Sequence, residues 1–146
     1  MKFKLIIDTK KDEEVVVTAH ENTALIKQIE SLVMQYSSTN KIVAYSEDDT
    51  LIIPFDEIEC IAVENGKTWL INSAGKRFKI KQRLYELEKI LPSNFIKINK
   101  SSLANENCIK KFTASFSGAV DVVFMCGYKD YVSRRCFAEI KRRYDI

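Results

Sequence analysis

From Ile42 onward the chain is cut into short apolar runs, each closed by a turn signal, and this punctuation restricts the fold more than any other feature of the sequence. Runs this short cannot make helices of ordinary length, but they suit strands. Ile42 to Tyr45 and Leu51 to Ile53 flank the acidic turn Glu47 to Asp49. Ile58, Cys60 and Ala62 alternate with polar neighbours, and Asn65-Gly66 is the strongest hairpin signal in the chain, because both residues tolerate the positive φ of a tight turn. Trp69 to Ile71 should pair back across it, and Ala74-Gly75 turns the chain into Arg77 to Ile80. A helix is predicted over Gln82 to Leu91, with Leu84, Leu87 and Leu91 inward and Pro92 just beyond its end. Phe95 to Asn99 then reads as a strand, Ile109 to Phe116 and Val120 to Met125 as two more across Ser117-Gly118, and Gly127 returns the chain toward Tyr131 and a last helix. The expected class is α+β and sheet-dominated, with no helix-turn-helix.

Two stretches carry chemistry. In FIKINKSSLAN, Phe95 to Asn105, the residues Lys97 and Asn99 alternate with apolar ones, so the strand should have one solvated face. Lys100, Ser101 and Ser102 follow as a polar turn, an ammonium and two hydroxyls of the kind that hold phosphate oxygens or reach base edges. A solvated hairpin loop would look the same. In YVSRRCFAEIKRRYDI, Tyr131 to Ile146, Ser133 is suited to N-cap a helix whose apolar stripe is Phe137, Ile140 and Tyr144. Arg134 and Arg135 then fall in its first turn, the end where the helix dipole disfavours cations, so a compensating anion is expected. Phosphate supplies one, accepting from helix N–H groups and guanidinium together; neighbouring carboxylates could do so too.

Together these stretches resemble the LytTR family of bacterial DNA-binding domains. The resemblance rests on Phe95, Lys97, Ile98, Lys100, Ser101, Ala104 and Asn105 in the first, and on Val132, Ser133, Arg134, Arg135, Phe137, Ile140 and Lys141 in the second. Arg83 to Pro92 and Ile52 to Ile71 are similar to the family's preceding helix and opening strands. The likeness spans roughly residues 42–146 and leaves the first forty unmatched. It implies a β-rich reader of double-stranded DNA that sends loops and a helix start into successive major grooves, often as two copies on repeated sites, with bending of the DNA. Base-reading positions then fall at Lys67 or Thr68, at Lys100 and at Arg135, while Lys97, Ser101, Ser133 and Arg134 serve phosphate or supporting contacts. Where many members carry His this chain has Asn99, counted among the DNA contacts, a departure that bears on base preference there. Similar stand-alone members are often associated with a membrane partner, so a membrane-protein regulator is implied as well.

Charge is unevenly distributed in a way the overall value of +3 hides. Residues 1–41 hold six basic and six acidic side chains, residues 42–75 one and seven, and residues 76–146 sixteen and seven. The basic last half is a plausible footprint for nucleic acid, although it could also pair with the acidic stretch before it. No Gly-rich phosphate loop, HExxH or GxSxG is present, and His20 is the sole histidine, so no catalytic residue is assigned and an enzyme is not expected. Cys60, Cys108, Cys126 and Cys136 lack metal-ligand spacing; no zinc or other cofactor and no small-molecule substrate is expected, and the cysteines read as reduced core residues. MKFKLIID has too short an apolar run for a signal peptide, and no stretch reaches the ~20 apolar residues of a membrane span, so a cytoplasmic protein is expected.

Residues 1–41 are read as a β-β-α extension and residues 42–146 as the DNA-binding domain. Phe3 to Ile7 and Val15 to Ala19 are the two expected strands, with Lys10 to Glu14 as their turn. Asn22 would cap a helix whose Leu25, Ile26, Ile29, Leu32, Val33 and Tyr36 form the strongest helical pattern in the chain. Within it Leu25, Ile29, Leu32 and Tyr36 have heptad spacing, which suits packing on a sheet and, behind that, a homodimer. Ser37 to Lys41 is the expected linker. Forty residues are too few for a phospho-receiver domain, so regulation is expected through this extension, through abundance or through a separate protein. Two rival readings stay open: a single-strand or RNA binder stacking bases on Phe112, Phe116, Tyr128 and Tyr131, and a protein-interaction module working through the N-terminal helix.

Overall fold

The computed structural model describes residues 1–36 and 40–146, and the chain divides into two compact units, Met1–Ser38 and Thr39–Ile146. The expected linker at Ser37 to Lys41 falls partly on residues 37–39, outside the described residues, and Lys41 already begins the first strand.

In the first unit the only regular element among the described residues is α1, Ala24–Tyr36. It starts one residue later than Asn22 would set it, because the Thr23 carbonyl takes the first helical hydrogen bond, from Lys27 N–H at 3.2 Å. The two strands expected before it do not form. Their side chains stay open, from Val17 at 38% to Phe3 at 92% exposed. Strand propensity is high in both segments, but an isolated two-stranded hairpin gains too little burial to hold together. The extension is therefore irregular chain followed by a helix, not β-β-α.

The second unit is built on a mixed-length antiparallel sheet. Its strands are β1 (Lys41–Tyr45), β2 (Thr50–Pro54), β3 (Ile58–Glu64), β4 (Lys67–Asn72), β5 (Arg77–Ile80), β6 (Phe95–Asn99) and β7 (Ser102–Asn105), in the spatial order β2-β1-β5-β4-β3-β7-β6. A smaller antiparallel sheet, ordered β10-β9-β8, comprises β8 (Ile109–Ala114), β9 (Val120–Phe124) and β10 (Lys129–Val132). Helix α2 (Leu84–Ile90) precedes β6, and α3 (Arg134–Tyr144) closes the chain. Apart from β7 and β10, where the sequence reading names no strand, each strand lies within a few residues of its expectation, while α2 is shorter than predicted at both ends.

Both faces of the large sheet are covered around β3, which the alternation in β3 does not reveal. On one face Cys60, Ile71, Ile98 and Ala104 pack with Val122 and Phe124 of β9, Val132 of β10 and Ile140 of α3. By the strand register Ile61, Leu70 and Leu103 point the other way and are equally buried. On that side α2, with its buried Leu87, packs against β3. Ile58 to Ile61 are consequently buried without a break, as expected for a strand between two layers. Burying each such Ile or Phe side chain contributes about 1.5–3 kcal/mol, so the small sheet and α3 are held firmly against the large one. Among the described residues no helix is long and apolar enough to cross a membrane.

Candidate nucleic-acid interface

Three connections meet at one end of the large sheet. The β3–β4 hairpin turns through Asn65 (φ 52°) and Gly66 (φ 73°), the paired left-handed residues of the tightest hairpins, and so presents Lys67 exposed. Beside it lies the β6–β7 turn, because Ala62 pairs with Ser102 and Val63 N–H donates to the Ser101 carbonyl at 2.8 Å. The third is the start of α3. Ser133 N–H donates to the Ile98 carbonyl at 2.9 Å, tying the first turn of that helix to β6, the strand that leads into Lys100.

Local chemistry explains each piece. Ser133 Oγ accepts from Cys136 N–H at 3.2 Å, the expected N-cap, and satisfies a donor the helix leaves free. At the other end Lys141, Arg142 and Arg143 sit in the last turn, the end where the dipole favours cations. Arg143 grips Glu106 through Nε at 2.9 Å and Nη2 at 2.7 Å, and Tyr144 hydroxyl adds a donor to the same carboxylate at 2.9 Å. Arg134 and Arg135 have no such partner: among the described residues neither they nor Lys100 nor Lys67 takes part in an ion pair. Being adjacent on a helix they diverge. Arg135 lines a cleft of about 380 Å³ with Lys97, Lys100, Tyr131, Ser133 and Glu139. Arg134 lines a second cleft, of about 370 Å³, with Phe137, Lys141 and the β8–β9 turn at Gly118 and Ala119.

Two stretches far apart in sequence thus bring Lys97, Lys100 and Arg135 to one surface. Lys97 is already engaged, with Nζ 3.6 Å from Glu88 Oε1 of α2 and both side chains about half exposed. Ser101 is half-buried, its backbone used on both sides.

Three residues read as polar and accessible are not. Asn99 is completely buried. Its Nδ2 donates to Asp130 Oδ1 at 3.2 Å and to the Tyr131 carbonyl at 2.9 Å, and its Oδ1 accepts from Ser101 N–H at 2.8 Å. An amide so used has no atom to offer a base, and Asn99 is removed from the DNA-contacting set. The cause is a register shift between Lys97 and Asn99, a bulge at Ile98 that breaks the alternation and turns Asn99 inward. Ser102 belongs to β7 rather than to the turn; it is 2% exposed and donates to Asp130 Oδ2 at 2.6 Å. Thr68 is also buried, which leaves Lys67 as the hairpin's candidate.

The cysteines are free thiols, Cys60 buried and the other three half-buried. Burial, with the nearby charge of Asp130 and of Cys126, holds the Cys60 thiol well above its usual range. Burial likewise pushes Cys108 up to about 11, with Glu59 and Cys126 adding to it. Among the described residues no group of three His, Cys, Asp or Glu side chains could hold a metal ion.

The family model described as LytTr DNA-binding domain matches residues 48–145. Uncharacterized HTH-type transcriptional regulators of Staphylococcus aureus strains bovine RF122 / ET3-1 and MSSA476 are each 31% identical over 147 residues, covering 100% of this chain and 99% of the relative. In this chain, whatever that label denotes, strands separate α2 from α3, so no helix-turn-helix forms among the described residues. A solved LytTr DNA-binding domain from Bacillus cereus superimposes with a TM-score of 0.67 at 19% identity, covering 75% of this chain and 100% of that one. By the family match and the full-length relatives, this chain belongs to the LytTR family of DNA-binding domains.

Proposed function

We propose that the protein is a bacterial transcription regulator, working in the cytoplasm, that reads double-stranded DNA through the end of the large sheet. The observation that carries this reading is the shared cleft of Lys100 and Arg135, cations without an ion-pair partner among the described residues. Arg135, in the first helical turn, offers a planar fork matched to guanine O6 and N7 in the major groove. Lys100 reaches a neighbouring base from the β6–β7 turn, and Lys67 another from the hairpin. Lys97 exchanges Glu88 for a phosphate, and Arg134, facing the second cleft, takes backbone on the far side of the helix. Ser101 and Ser133 support these contacts; the Ser133 hydroxyl accepts from the helix and still has a proton to donate to phosphate.

The single-strand reading loses support from the aromatics it needs. Phe112 packs on Phe137 with centroids 5.6 Å apart, and Tyr128 on Phe124 at 5.7 Å. Both belong to the partly buried shell of the core, which leaves Phe116 and Tyr131 exposed but no continuous stacking platform.

The protein acts as a homodimer on repeated sites in this reading, with α1 as the dimer element. Leu25 and Leu32, two of its heptad positions, are 50% and 56% exposed. Regulation passes through the same unit, from the second copy or from a membrane-protein partner. Competition binding of duplex DNA, single-stranded DNA and RNA at one fixed salt concentration tests the central reading. Preference for duplex, with one sequence selected from a random pool, is expected; equal or better binding of single strands contradicts it.

A further inference from the structure

We propose that Asp130, which is not among the DNA-facing residues, sets the sequence discrimination of the site by fixing the β6–β7 turn against the start of α3. The proposal deepens the DNA-reading function and rests on it. The two reading elements come from different sheets: Lys100 follows β6 of the large sheet, and Arg135 follows β10 of the small one. No backbone ladder joins β6 to β10 among the described residues, so their relative position depends on core packing and on the polar bonds that cross between them. Asp130 accepts two of them, both from side chains that flank the turn, while Asn99 Nδ2 to the Tyr131 carbonyl and Ser133 N–H to the Ile98 carbonyl supply two more. Asp130 Oδ1 accepts from Asn99 Nδ2 at 3.2 Å and from Tyr131 N–H at 2.8 Å, and its Oδ2 accepts from Ser102 Oγ at 2.6 Å. Asn99 and Ser102 are the residues on either side of Lys100-Ser101, paired across the bulge. One carboxylate therefore holds both stems of the turn and belongs to the strand that leads directly into α3.

The chemistry suits a positioning role. Bonds to an ionised carboxylate are short and stronger than neutral ones, and the two donors that flank the turn, Asn99 and Ser102, are buried, so each has a definite place for its hydrogen. Asn99 doubles the tie by also donating to the Tyr131 carbonyl at 2.9 Å. Contacts that read bases require their side chains to be held by surrounding groups, since a small displacement loses the paired geometry while leaving charge attraction intact. Phosphate attraction tolerates such drift; bidentate base contacts do not.

The full chain, Asp130→Asn and Ser102→Ala are compared on three probes: a duplex selected by the wild-type protein from a randomised pool, its single-base variants, and a scrambled duplex of equal length. Asp130→Asn keeps shape but cannot accept from both sets of donors at once. Removing a negative charge near DNA raises affinity for every duplex alike, so the readout is the ratio of selected to scrambled affinity, which cancels that effect. We expect this ratio to fall about ten-fold in Asp130→Asn and by less in Ser102→Ala, with losses at the bases assigned to both Lys100 and Arg135 and an unchanged salt slope. A ratio held at the wild-type value in both variants overturns the proposal, as does a loss at one base alone. If Asp130→Asn does not fold, Ser102→Ala alone carries the same comparison. If the wild-type protein selects no sequence, the DNA-reading function itself fails, an outcome distinct from failure of the Asp130 proposal.

Discussion

The backbone N–H of Ser133 donates to the carbonyl of Ile98 at 2.9 Å, so the residue that caps α3 is also bonded to the bulge of β6. Its hydroxyl and its backbone do different work and can be separated. Ser133→Ala removes the cap and should cost about 1 kcal/mol of stability, measured by urea unfolding. Ser133→Asp restores the cap and should restore stability, yet places a carboxylate where phosphate is proposed to sit. Duplex affinity should therefore fall further in the Asp variant than in the Ala variant. If Ser133→Asp binds DNA as tightly as wild type, no phosphate approaches this helix start.

Lys97 and Glu88 form an exposed pair at 3.6 Å, of the kind worth about 0–1 kcal/mol. Such a pair is weak enough for phosphate to replace the carboxylate. Lys97→Gln should weaken all duplexes about equally and reduce the salt slope by about 1. Glu88→Gln should strengthen binding to all duplexes slightly, since it frees the ammonium and removes a repelling charge. Titration of both variants at several salt concentrations distinguishes this from base reading, which would show as an effect confined to one base position.

The buried thiols link stability to alkaline pH. Burial raises Cys60 and Cys126, and raises Cys108 to about 11, above the ordinary 9.0. A raised folded-state value means that the neutral thiol is favoured in the fold. The stability this contributes is complete below pH 9 and is lost as pH rises through 9 toward 11. Unfolding free energy should accordingly decline between these limits, and less so in Cys108→Ala once its own packing loss is subtracted. At pH 8 a thiol reagent should modify Cys60 far more slowly in the native protein than in urea; equal rates contradict the burial.

Much of this architecture is legible from local signals. Arg77 to Ile80 is marked at its start by Ala74-Gly75, Asn65-Gly66 announces its hairpin, and Ser133 followed by Phe137 and Ile140 defines α3 and its cap. Asn99 escaped that reading for one reason. Alternation assumes an unbroken strand with one open face, whereas a bulge at Ile98 breaks the parity and the small sheet covers what would be the open side. Asp130 carries no signal at all, because its partners lie 28 and 31 residues away in sequence. The expected strands at Phe3 to Ile7 and Val15 to Ala19 mark the opposite limit: propensity is local, but a strand needs a neighbour and a covered face, and these segments have neither among the described residues.

The N-terminal helix supplies a separate test. Leu25→Glu with Leu32→Glu places charge at two exposed heptad positions of α1, where it should do little to the fold of the DNA-binding unit. Sedimentation of this variant should give a monomer where the wild-type chain gives a dimer, either free or on DNA, and affinity for a repeated site should fall while that for a single half-site is kept. Association that is unchanged by both charges assigns dimerisation elsewhere.

Arg135 decides the central claim. Arg135 lines the cleft beside Lys100 and has no ion-pair partner among the described residues. Arg135→Lys keeps the charge but removes the planar fork, and the two roles open to it then separate cleanly. The measurement is a set of affinities for the selected duplex and each of its single-base variants, for wild type and Arg135→Lys, at several salt concentrations. A loss of about 1–3 kcal/mol of discrimination at one base pair, with the salt slope unchanged, is the expected result. A uniform loss across all duplexes, with no base singled out, would mean that Arg135 holds the backbone, and would contradict the reading mechanism at its centre.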